Sequence, residues 1–200
     1  MKKIFITGGG GYVGSALSDY LINKGYIVTA YDLFLYGKDV FSSRSNLNII
    51  EGDIRNIKHV EKACKNIDTV IHLAAVNGTK YFYEKPDVVL EVDAKGVINI
   101  IDRCLKNRIK NLFLASSSEV YHLPKKIPTD EKESIKIPDI MNPRLSYAEG
   151  KIFTEVMGIN IGKFFKKLII FRQHNVNGKN MRNEHVLKKS ISRMKKKKWK

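Results

Sequence analysis

Tyr147 and Lys151 stand four residues apart, and at that spacing on a helix a phenol and an ammonium share one face. A tyrosine with a pKa of about 10 is a poor base at neutral pH, and a neighbouring lysine charge favours the phenolate and lowers that value. Such a pair is suited to taking a proton from an alcohol. Ser117, which follows the apolar run Asn111 to Ala115, supplies a hydroxyl beside the same end of the sheet. A Tyr and a Lys four apart arise often by chance, so the pair gains meaning only beside a partner that can take up electrons.

The segment TGGGGYVG, Thr7 to Gly14, supplies that partner's cradle. It sets Gly8, Gly11 and Gly14 between a short apolar run and a helical stretch. Gly8 lets the chain turn, Gly11 lets backbone approach a pyrophosphate, and Gly14 lets helix and sheet pack closely. The amides that open the helix, at Tyr12 and Val13, then face the phosphates. Asp32 lies 24 residues after Gly8, where a carboxylate can accept both hydroxyls of a ribose. It would repel a 2'-phosphate, and Leu33, Phe34 and Leu35 follow it rather than an arginine, so these residues favour NAD over NADP. In Gly52-Asp53-Ile54, Asp53 could meet an adenine amine or serve as a loop cap. Leu73, Ala74 and Ala75 offer side chains against the cofactor.

The elements that must position these residues alternate from the first residue. Strands are expected at Lys3 to Thr7, Ile27 to Tyr31, Leu47 to Ile50, Thr69 to His72, Asn111 to Ala115 and Lys167 to Phe171. Helices are expected at Tyr12 to Asn23, near Ile57 to Cys64, at Pro86 to Lys106 and at Leu145 to Phe165. In the first of these Val13, Leu17, Tyr20, Leu21 and Lys24 follow helical spacing. The rhythm is that of an α/β, doubly wound parallel sheet with helices on both faces, a Rossmann fold. In such sheets ligands lie beyond the carboxyl ends of the strands, and the residues of interest follow strands one, two, four and five.

Composition narrows the class. Hydrophobic residues make up 43% of the 200, enough for a real core, which excludes a disordered or fibrous chain. Cys64 and Cys104 lack metal-ligand spacing and read as small buried hydrophobes in a reducing cytoplasm. No apolar run suits a membrane span, and no metal site or membrane partner is expected. The net charge is +16, but Met181 to Lys200 alone carries +8 of it, so the preceding 180 residues are only mildly basic. That balance suits anionic, phosphate-bearing small molecules, and solvated surface lysines account for it equally well. Nucleic-acid binding through the tail Lys195 to Lys200, KKKKWK, would need a structured basic face that one short run lacks, so no nucleic-acid partner is expected.

TGGGGYVG, Asp32, GDI at 52–54, HLAA at 72–75, SSSEVY at 116–121, YAEGK at 147–151 and FRQHNVNG at 171–178 occur in one order and spacing. In this the chain resembles the extended short-chain dehydrogenases/reductases of the NAD-dependent epimerase/dehydratase group, up to about residue 190. The resemblance implies that Tyr147 is acid/base on a sugar hydroxyl, and that Lys151 holds the nicotinamide ribose and lowers the tyrosine pKa. It implies that Ser117 hydrogen-bonds the reacting oxygen and that Asn175, with Ser117 and Ser118, meets a nucleotide-sugar substrate. Hydride leaves a sugar carbon, usually C4, to give a transient keto sugar, after which epimerisation, elimination or decarboxylation follows. Glu119 matches a second acid/base of the dehydratases and decarboxylases, although Ser118 stands where the dehydratases carry an aspartate, and a solvent-facing loop glutamate is the other reading. The resemblance also implies a homodimer that pairs through the helices holding Lys95 and Tyr147.

The departures are specific. Asp93 stands where the family usually has an asparagine, and Val176 to Lys179 lacks the family's tyrosine and proline. Members usually carry a smaller C-terminal substrate domain. The division expected here is an NAD-binding domain over 1–171, the start of a truncated substrate region over 172–194 and a basic tail over 195–200. Two functions follow. One is an NAD-dependent nucleotide-sugar epimerase/dehydratase; the other is a truncated, weakly active or inactive NAD-binding module with a structural or regulatory role.

Overall fold

A computed structural model describes residues 2–35, 37–176 and 194. Six strands, β1 (Lys3–Thr7), β2 (Ile27–Asp32), β3 (Leu47–Glu51), β4 (Thr69–His72), β5 (Asn111–Ser117) and β6 (Lys167–Gln173), form one parallel sheet in the order β3-β2-β1-β4-β5-β6. The order reverses between β1 and β4, which opens a crevice at their carboxyl ends.

Alternation along the strands assigns the two faces. In β1, Ile4 and Ile6 point to one side with Ile22 and Val28, while Phe5 points to the other with Tyr31 and Val70. The first side is covered by α1 (Tyr12–Asn23). The second is covered by α2 (Ile57–Ala63), α4 (Pro86–Lys106) and α5 (Ser146–Ile161), and it holds the larger core, including both cysteines. Burial pushes the Cys64 thiol up to about 12, as befits a thiol acting as a hydrophobe.

Local chemistry fixes the helix ends. The Asn56 side chain accepts from the Lys58 and His59 amides and starts α2. Pro86 and Asp87 open α4 and Arg103 and Lys106 close it, matching its dipole. Gly25, at φ +83, ends α1.

Three sequence expectations shift. The buried face of α1 is Gly14, Ser15, Ser18 and Ile22, with Leu17 and Leu21 at its margin, and Tyr20 is exposed. Small residues take the buried stripe because the helix lies close on the strands at the glycine turn. The helix expected to reach Phe165 ends at Ile161 and tightens into a 3-10 turn over Gly162–Phe164. A short helix, α3 (Thr79–Glu84), was not anticipated, since six residues with one buried side chain, Phe82, give no period to read.

Candidate functional site

The glycine turn lies between β1 and α1 at the reversal point. Gly8 has φ +70, and a Cβ there would lie 2.8 Å from the Ala74 backbone nitrogen, so only glycine lets the turn sit against the end of β4. A Cβ on Gly14 would overlap the Gly8 carbonyl oxygen. Gly11 is the N-cap of α1, which has neither a side-chain cap nor an acid in its first turn, so no side chain claims its opening amides. This backbone cradle fits a diphosphate. Thr7 and His72 pin its base: the Ala74 amide donates to Thr7 Oγ1 at 3.3 Å, and Thr7 Oγ1 lies 2.7 Å from His72 Nδ1.

Asp32 ends β2 beside the turn. Its carboxylate accepts the Gly10 amide at 3.1 Å and the Phe34 amide at 2.9 Å, one on each oxygen, which leaves a lone pair on each for a ribose hydroxyl. Asp53 caps its own loop after β3. It accepts the Arg55 amide at 2.8 Å and the Arg55 guanidinium, which also reaches Glu91 at 2.7 Å. The Arg55 hydrogen bond holds its carboxyl below the usual range, against burial. Ile54 is a core side chain packed against Gly96 of α4, and its carbonyl accepts from Asn99 at 2.8 Å. Leu73, Ala74 and Ala75 lie half-buried where β4 meets the glycine turn.

Tyr147, Lys151 and Ser117 come together at the end of β5. Tyr147 is 8% exposed, and the Ser117 side chain beside it favours its phenolate. The Lys151 ammonium lies 5.5 Å from the centre of the Tyr147 ring. Burial raises the Tyr147 pKa; Lys151 opposes this, Asp93 and Glu119 add to it, and the result stays above the ordinary phenol. The sequence argument, in which lysine lowers the value, named the right partner and missed the weight of desolvation. Ser118 and Glu119 open a 3-10 turn, Ser118–Tyr121, in which the Glu119 amide donates to Ser117 Oγ at 3.1 Å. Asn175 is exposed, two residues past β6, with φ 39. Val176 is the last described residue of its segment, so Gly178 and the tail lie outside the described residues.

Three side chains around the phenol were not singled out as parts of the site. Phe82 of α3 stacks on the Tyr147 ring at 5.5 Å and 18°. Arg144 lies 4.8 Å over Phe82 and pairs with Glu119 at 3.0 Å. Asp93 of α4 pairs with Lys151 at 3.0 Å. Arg144 was legible three residues before Tyr147; Phe82 carried no signal. Among the described residues, no group of three His, Cys, Asp or Glu is placed to hold a metal, and no helix is long and apolar enough to cross a membrane.

The chain is similar to known proteins in sequence and in fold. UDP-N-acetyl-alpha-D-glucosaminuronate decarboxylase of Bacillus cytotoxicus is 32% identical over 180 residues, covering 88% of this chain and 55% of that protein. The bifunctional UDP-glucose 4-epimerase and UDP-xylose 4-epimerase 1 of Pisum sativum is 30% identical over 174 residues, covering 81% of this chain and 48% of that one. The chain thus spans about half the length of these curated relatives. The solved UDP-N-acetylglucosamine 4-epimerase of Methanobrevibacter ruminantium, in complex with UDP-N-acetylmuramic acid, superposes with a TM-score of 0.85 at 27% identity, covering 98% of this chain and 63% of that one. The family model described as the NAD dependent epimerase/dehydratase family matches residues 4–200, and the chain belongs to that family.

Proposed function

We propose that this chain is an NAD-dependent nucleotide-sugar epimerase/dehydratase that acts through a transient 4-keto sugar, with Tyr147 as the acid/base. The observation that supports it best is the buried phenol of Tyr147, flanked by Ser117 and Lys151, at the sheet edge that also carries the glycine turn.

NAD, when bound, supplies a reversible hydride acceptor. The amides of Tyr12, Val13 and Gly14, approached over the bare Cα of Gly11, would receive its diphosphate, Asp32 would accept the hydroxyls of its adenosine ribose, and the Asp53-Ile54 loop would border the adenine. Leu73, Ala74 and Ala75 border the nicotinamide half, and Lys151 holds the nicotinamide ribose. Ser117 orients the sugar hydroxyl, and Tyr147 takes its proton as hydride leaves and returns it when the keto sugar is reduced. Ser118 and Asn175 contact the substrate. Glu119, paired with Arg144, stands as the second acid/base for an elimination or decarboxylation branch, which the decarboxylase relative favours.

Residues 1–171 form the cofactor domain in this reading, with the substrate-binding region starting at 172. We assign the protein to the cytoplasm, where two free buried cysteines are at home. We also propose a homodimer through α4 and α5, which expose Leu90, Ile98, Phe153 and Val156.

The test is incubation with NAD and a panel of UDP-, GDP-, dTDP- and CDP-sugars, with analysis of products. Turnover is expected with at least one, and Tyr147→Phe should lower it by about 10²–10⁴-fold. NAD binding with no turnover on any member would replace this reading with that of a cofactor-binding module.

A further inference from the structure

We propose that Asp93 is a positioning residue for the reaction above, holding the Lys151 ammonium against α4 so that Lys151 works as one half of a neutral pair rather than as an isolated cation beneath Tyr147. The inference rests on the reading of Tyr147 as acid/base.

The pair is enclosed. Asp93 is 1% exposed and Lys151 2%, their charged atoms are 3.0 Å apart, and beyond this ion pair the Asp93 oxygens have no hydrogen-bond partner. The backbone of α5 is cut to admit this carboxylate. A Cβ on Gly150 would lie 2.6 Å from Asp93 Oδ2, so glycine immediately before Lys151 is what lets the carboxylate reach across. An asparagine would fit the same space, and what the carboxylate adds is the charge.

That charge acts on the phenol through Lys151. A lone ammonium near a phenol favours phenolate, and a carboxylate 3 Å from the ammonium cancels most of that field. Burial raises the Asp93 carboxyl above its usual range, and the Lys151 ammonium 3.0 Å away opposes this. Burial works against the Lys151 ammonium, but Asp93 and Tyr147 outweigh it and hold its pKa above the usual lysine range. The charged and titratable groups that face the pair and the phenol are Glu119 after β5, His72 on β4, Arg144 before α5 and Asp93 on α4. His72 is buried and neutral, and Arg144 is paired with Glu119, so Asp93 is the acid in direct contact with the lysine.

The experiment is an alkaline absorbance titration of phenolate, with the corresponding Tyr147→Phe protein subtracted in each background to isolate one phenol among nine. In Asp93→Asn the Tyr147 midpoint should fall by about one pH unit or more. In Asp93→Asn/Lys151→Gln, where the whole pair is gone, it should stay within about half a unit of wild type. The double variant leaves no buried charge unpaired, so it decides the matter if the single variant does not fold. An unchanged midpoint in the single variant, or a rise of a unit in the double, overturns the proposal. A double variant that fails to fold overturns it as well, because the pair is then a structural fastener. The readout needs no sugar, so a failed substrate panel with the expected titration leaves the pair established and the activity refuted.

Discussion

At the scale of single residues, burial sets the proton chemistry as firmly as charge does. His72 is fully enclosed, and burial, with the Lys151 charge adding, pushes its imidazole down to about 3 from an ordinary 6.5. The unfolded chain binds a proton there at a pH where the folded chain does not. The stability contributed by neutral His72 is therefore complete above about pH 6.5 and is lost as pH falls towards about 3. Denaturant midpoints measured between about pH 7 and 4 should fall with pH, and His72→Gln should make that slope shallower by about one proton. Gly14 offers a second test. Since a methyl group there meets the Gly8 carbonyl, Gly14→Ala should weaken NAD binding at least tenfold in a fluorescence titration, an effect of about 1.4–3 kcal/mol.

At the scale of elements, the site is held by what joins α5 to the sheet. Glu155, two turns after Tyr147, is 4% exposed and accepts Ser116 of β5 at 2.5 Å and Arg172 of β6 at 2.8 and 2.7 Å. Burial opposes its charge, and the Arg172 and Ser116 hydrogen bonds outweigh that and hold its carboxyl below the usual range. This knot fixes the height of Tyr147 over the end of β5. Glu155→Ala leaves Arg172 without its partner and should cost about 3–5 kcal/mol, seen as a drop in melting temperature on the order of 10 °C. Turnover should fall as well, because Tyr147 loses its register against Ser117.

At the scale of the whole molecule, α4 and α5 face outward as well as inward, and the proposed dimer would cover their exposed side. Ile98→Glu with Phe153→Glu should convert a dimer into a monomer in sedimentation velocity, with the melting temperature of the monomer fold little changed. Much of this architecture was readable from the chain. Strand runs such as KIFIT and NLFLA, the glycine turn and the spacing of Tyr147 and Lys151 are local, and local pattern determines local conformation, while the crossover rule sets the hand of each connection. By itself the sequence thus determined the Rossmann fold, the cofactor end of the sheet and the residues that meet there. Only the tertiary structure decided which charges those residues feel: Asp93 beside Lys151, Arg144 beside Glu119, Arg55 on Asp53 and Phe82 on the phenol. Each of these pairings except Arg55 with Asp53 joins different elements across the fold, and electrostatics follow distance and burial in space, which spacing along the chain does not encode.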